Sequence, residues 1–143
     1  VILSEHFTLD EFIFSEVATR RGIDNVPDIV ILQNLKNLST HMEAVRNVLE
    51  VPLKVSSAYR CAALNTLIGG SPNSAHVRGL ACDFVPVGMS LLKAACIIRD
   101  SKLLYDQLIL EYSQWLHLGF DKAMRRECLT KKSGTEGYLR GLV

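Results

Sequence analysis

The segment SAHVRGLACDF, residues 74 to 84, interrupts a small and apolar run with two groups that bind metals, His76 and Asp83. A carboxylate in such a run is costly unless something pairs with it. A zinc peptidase needs three protein ligands, an open position for water, and a further carboxylate to take the water's proton. His41 falls on a long helix and His6 near the first residue, which leaves His117, in QWLHLGF, as the best third ligand. On a strand, Trp115, His117 and Gly119 share one face, and His117 can point toward a site. The spacing therefore predicts a two-histidine, one-carboxylate centre made of His76, Asp83 and His117, holding one Zn²⁺ per chain.

The proton acceptor is expected to be Glu111, the nearest acid upstream of His117, brought beside the metal by a short turn. Asp106 is its rival, further back on the same segment. Taken singly, His76 also reads as a loop histidine and Asp83 as a salt-bridged acid. Gly79, which lets the backbone bend between them, and the cost of an unpaired Asp83 favour the joint reading. Cys82 is a poor ligand candidate, because strand neighbours point to opposite faces.

These residues need a scaffold. Thr8-Leu-Asp-Glu11 is a capping box flanked by Phe7 and Phe12, so a helix is expected from Leu9. After the turn-like GIDNVP, Ile29, Leu32, Leu35, Leu38, Met42, Val45 and Leu49 mark one face of a helix of about five turns. PLKVSSAY reads as a strand, CAALNTL as a short helix and GGSPNS as a loop. LACDFVPV reads as a second strand and SLLKAACIIRD as a serine-capped helix. YDQLILEY and WLHLGF are strands joined by a short polar link, and the tail suggests a closing hairpin around Ser-Gly-Thr-Glu-Gly. Helices first and strands later predict an α+β fold, a largely antiparallel sheet with helices on one face. Residues 1–143 read as a single domain.

At this point the motifs carry a resemblance. SAHVRGLACD matches S-x-H-x-x-G-x-A-x-D, and WLHLGF resembles a later W-x-H motif. The chain resembles the zinc D-alanyl-D-alanine carboxypeptidases and the related phage L-alanyl-D-glutamate endolysins, whose zinc fold the hedgehog signalling domain shares. SEHFTLDEF, NVP, VSSAYRCAALNTLIGGSPNSAH and YDQLILEY look like successive blocks of the short phage-associated branch, covering residues 4 to about 120. The resemblance puts His76, Asp83 and His117 on the zinc ligands and Arg60 on the arginine that binds the substrate's carboxylate or carbonyl. It makes Ser74 a contact to the substrate backbone and Glu111 the general base. Many relatives carry E-x-x-H, which would put the base at Gln114, a residue that cannot take a proton. Ala58 replaces a frequent glycine, and Gly119 stands where serine is common. Without the resemblance, Arg60 reads as a solvated arginine and Ser74 as a turn residue, and Tyr59 and Trp115 as either groove or core.

Composition is that of an ordinary globular protein. The 143 residues are 48% hydrophobic and 22% charged, with a net charge of +1. That balance gives no footprint for nucleic acid, and no apolar run suits membrane insertion. The four cysteines form no C-x-x-C, and reduced, mostly buried thiols are expected. No signal peptide is visible, so synthesis in a bacterial cytoplasm is expected, with action on the cell wall after release or within a phage particle. The expected activity is hydrolysis of peptidoglycan stem peptides by a monomer. The competing expectation is a catalytically silent, zinc-stabilised wall-binding or structural domain.

Overall fold

A computed structural model describes residues 1–143. The chain forms α1 (Leu9–Ile13), α2 (Glu16–Arg21), α3 (Ile29–Leu49), β1 (Leu53–Ser57), α4 (Ala62–Leu67), a 3₁₀ turn at Ala75–Arg78, and β2 (Ala81–Pro86). There follow α5 (Leu91–Asp100), β3 (Gln107–Glu111), β4 (Trp115–Gly119), β5 (Glu127–Lys131) and β6 (Leu139–Arg140). The strands make one six-stranded sheet in the order β1-β2-β4-β3-β5-β6. It is an α+β fold with a mostly antiparallel sheet. The exception is β5, which runs parallel to β3, because the crossover from β4 carries the chain past β3 before it pairs.

Side-chain alternation sorts the sheet into two faces. Cys82, Phe84, Leu108, Leu116 and Leu118 are fully buried in one core with Leu35, Leu38 and Met42 of α3 and Ala94, Ala95 and Ile98 of α5. The residues between them, Asp83, Ile109, Glu111, Trp115 and His117, point to the opposite face. There they line a groove whose rim is formed by the 3₁₀ turn and the loop after α4.

Local chemistry explains the ends of the elements. Thr8 and Glu11 close both halves of the capping box, and the Phe7 and Phe12 rings meet at 5.6 Å. Ser90 caps α5 by accepting from the Lys93 N–H. The link between β3 and β4 is a tight turn in which Tyr112 and Ser113 both have φ of 55°. His6, beside the start, donates from Nδ1 to Glu43 Oε1 at 2.7 Å, and His41 stacks on Phe120.

Three expectations are corrected. Helix α2 was not foreseen, because it is a short polar turn that owes its start to the Ser15 cap rather than to an apolar face. The stripe of α3 is fully buried only from Leu35, and Ile29 is 82% exposed, outside the core cluster. Only Cys82 of the four free thiols is fully buried. Of the two readings left open for Tyr59, groove or core, the structure takes the core. No helix is long and apolar enough to cross a membrane.

Candidate metal centre

Asp83 and His117 are directly paired residues of β2 and β4. Both project into the groove because Cys82 and Leu118, their neighbours, are committed to the core. His76 reaches the same point from the 3₁₀ turn. That turn starts where Ser74 Oγ accepts from the His76 N–H at 3.2 Å, and it ends at Gly79 with φ of 71°. A side chain at Gly79 would be strained by that φ and would press on Ile31 and Leu35, its Cβ falling 3.2 and 3.3 Å from their methyls. The backbone conformation favours glycine, and the tight contacts add to that preference.

Asp83 Oδ1 lies 3.2 Å from His76 Nε2 and 2.9 Å from His117 Nδ1, and one ligand atom from each residue falls within 4.8 Å of the others. The chemistry of these atoms fits a cation. His76 Nδ1 is 2.6 Å from the Ala58 carbonyl, which can only accept, so the ring proton sits on Nδ1. The Nε2 lone pair then faces a carboxylate oxygen, acceptor against acceptor. A proton on Nε2 would relieve this, but burial of the ring lowers the His76 pKa and opposes it. A divalent metal among the three groups relieves it fully, and the Ala58 carbonyl is then the outer partner that orients the ligand.

The charges around the centre are unequal. Burial opposes ionisation of Asp83, but the two histidines outweigh it and hold the carboxyl far below its ordinary range. Burial likewise opposes a charge on His117, whose hydrogen bond to Asp83 outweighs it and raises the pKa. Glu111 is raised by burial first and by the Asp83 charge second. Its Oε1 lies 4.0 Å from His117 Nδ1. Arg60 is lowered by burial, makes no ion pair, and feels the Asp83 and Glu111 charges across the groove.

The groove has a volume of about 920 Å³, and His76, Asp83, His117, Glu111, Arg60 and Ser74 all line it. The structure thus gathers every residue singled out in the sequence for the site. Gln114, the alternative base position, is exposed at the end of the turn and is not part of the lining. Asp106 lines the groove but is engaged elsewhere, accepting from the Arg125 backbone N–H and from its guanidinium at Nε and Nη2. Trp115 lines the groove as well, with its Nε1–H buried and unpaired, and its ring packs on Tyr112. Ser74 is already spent in part on capping, which is how it orients His76.

Sequence reasoning missed Asn65 and Tyr138. Asn65 sits inside a short helix where an asparagine carries no periodic signal, although it is buried and bonded to Arg60. Tyr138 comes from the tail, in a loop held by Lys131, whose ammonium donates to the Thr135 and Gly137 carbonyls and lies 5.5 Å from the tyrosine ring. No motif marks that tail. Compared with known families, the chain matches the profile of a family described as Peptidase M15 over residues 5–119. No curated protein matches the chain.

Proposed function

Because the chain belongs to the peptidase M15 family, we propose that it is a zinc-dependent hydrolase of peptidoglycan stem peptides, acting as a D,D-carboxypeptidase or as an endopeptidase. The observation that carries the reading is the convergence of three ligand atoms, one further carboxylate and one unpaired arginine on a single groove. Support for the wall substrate comes from the resemblance of the motifs around His76, Asp83 and His117. We take residues 1–143 as one catalytic unit, supported by the continuous core from Phe7 to Phe120.

His76 Nε2, Asp83 and His117 Nδ1 are the residues that would hold one zinc. Bound there, zinc supplies a Lewis acid that polarises a peptide carbonyl and makes water acidic enough to attack near neutral pH. Glu111 takes the proton from the attacking water and delivers it to the nitrogen that leaves. It is the carboxylate nearest the ligand set that is not itself a ligand and is not held by an arginine. Arg60 presents a permanent, planar charge that can fork onto a peptide's terminal carboxylate or stabilise the oxygen that becomes negative. Ser74 orients His76 through its cap and contacts the substrate backbone with its remaining hydrogen-bonding capacity. The reading places the enzyme's work at a cell wall, reached after release or as part of a phage particle.

The test is digestion of purified peptidoglycan by the zinc-loaded protein, with mass spectrometry of the fragments. New amine termini that disappear on chelation are expected, and their mass identifies the bond. Intact wall peptides after prolonged digestion would reject the enzyme in favour of a zinc-stabilised, silent wall-binding domain.

A further inference from the structure

Arg60 is held by an unusual amount of buried amide. Asn25 Nδ2 donates to the Tyr59 carbonyl at 3.1 Å, and Asn25 Oδ1 accepts from the Cys61 N–H at 2.7 Å. These bonds fix the backbone on either side of the arginine. The side chain is held separately. Arg60 Nε donates to Asn65 Oδ1 at 3.2 Å, and Asn65 Nδ2 donates to the Ser71 carbonyl at 2.8 Å. Asn65 is only 2% exposed.

We propose that Asn65 is a positioning residue for substrate recognition, which fixes Arg60 in the groove, and that Gly70 is glycine to make room for it. The chemistry of the two neighbours selects the amide. Arg60 Nε can only donate and the Ser71 carbonyl can only accept, so the residue between them must accept on one side and donate on the other. Aspartate would set a carboxylate against the Ser71 carbonyl and neutralise Arg60. Leucine would satisfy neither. The independent observation is at Gly70, whose N–H bonds the Asn65 carbonyl at 2.8 Å. A Cβ there would fall 2.2 Å from Asn65 Oδ1 and 2.8 Å from Cγ, an overlap with the very group that holds Arg60. The GGS loop is therefore pressed onto the carboxamide, and the carboxamide onto the guanidinium. With Nε anchored and Nη1 donating to Ser57 Oγ at 3.5 Å, the guanidinium lines the groove without a carboxylate partner, preorganised for one anionic or carbonyl oxygen.

The inference rests on the reading that Arg60 acts on substrate, and a cycle of variants separates the two. Steady-state hydrolysis of soluble peptidoglycan stem peptides is measured for Arg60→Ala, Asn65→Ala and the double variant, all zinc-loaded and with metal content checked. Asn65→Ala is expected to lose roughly 10–100-fold in kcat/KM, the scale of a misplaced positioning group, with metal retained. The double variant is expected to be no slower than Arg60→Ala, because Asn65 acts through the arginine. Losses that multiply, or a full rate in Asn65→Ala, overturn the positioning role while leaving Arg60's own role standing. A full rate in Arg60→Ala overturns both. If Asn65→Ala fails to fold, Gly70→Ala displaces the carboxamide without deleting it and enters the same cycle. A readout free of turnover is the Arg60 Nε–H proton by NMR, expected to exchange slowly in the native protein and fast in Gly70→Ala. Fast exchange in the native protein overturns the proposal.

Discussion

Asp83 and His117 face each other across the β2–β4 ladder, with Oδ1 and Nδ1 2.9 Å apart. Their meeting is fixed by the sheet, not by a loop. A slip of one residue in either strand would turn that strand's own group into the core, Asp83 in exchange for Cys82 or His117 in exchange for Leu118, and part the pair. The hydrophobic burial that stabilises the sheet is therefore also what keeps two of the three ligand candidates together. The third arrives on a separate device, the capped turn that ends at Gly79.

Metal content is the first quantity to measure. The purified protein is expected to hold about one zinc per chain with nitrogen and oxygen ligands at roughly 2.0–2.2 Å. Asp83→Ala and His117→Ala should each bring the bound zinc close to zero and remove the rise in melting temperature that zinc gives the native chain. X-ray absorption and elemental analysis provide the check, and zinc retained at full occupancy in Asp83→Ala would move the site elsewhere.

Glu111→Gln should keep the fold and the zinc while lowering turnover by about 10²–10⁴, the range for a lost general base. Gln114→Ala should change turnover little, since Gln114 is exposed and outside the groove. Wild-type turnover in zinc-loaded Glu111→Gln would assign the base to another group.

Arg60→Lys should recover only part of the activity lost in Arg60→Ala. An ammonium keeps the charge, but it cannot donate through Nε to Asn65 and present a planar fork at once. Equal activity of the lysine and native proteins would show that charge alone is used.

A pH effect is expected at the far end of the groove. The Asp106 pKa is lowered, chiefly by its side-chain hydrogen bonds from Arg125. Its folded value lies below the unfolded one of about 3.9, so the bond stabilises the fold above that pH. The stabilisation is lost as pH falls through the lower folded value. Urea unfolding of Asp106→Asn should accordingly show a deficit relative to the native protein at neutral pH that shrinks as the solution is acidified below about pH 4. A deficit that stays constant down to pH 2 would mean that the carboxylate's charge is not what matters.

Much of this was legible in the sequence because the signals were local. Strand geometry sends alternate residues of ACDFVP and WLHLG to opposite faces, which puts Asp83 and His117 on the groove side, and the caps at Thr8 and Ser90 determine where helices begin. The ligand candidates were legible for the same reason, since strand alternation aims Asp83 and His117 alike. What was not legible depends on contacts distant in the chain. The parallel pairing of β5 with β3 leaves no trace in either strand's own pattern. Asn65 meets the Ser71 carbonyl only when the GGS loop folds back on it, and Tyr138 reaches the groove from a tail that Lys131 ties down. The exposed first turn of α3 was misread because periodicity reports an apolar face, not whether anything covers it.

The turn between β3 and β4 places two non-glycine residues, Tyr112 and Ser113, in left-handed backbone at φ of 55°. Such geometry costs roughly 1–2 kcal/mol per residue, and an Asn-Gly pair would adopt it more easily. The chain instead keeps a tyrosine whose ring packs on Trp115 at 5.3 Å and lines the groove one residue from Glu111. Selection for thermal robustness alone would replace Tyr112-Ser113 with Asn-Gly. A thermostable variant obtained that way is expected to lose an aromatic wall beside Glu111, and if Glu111 is the proton acceptor proposed above, its gain in robustness is expected to come with a loss of turnover.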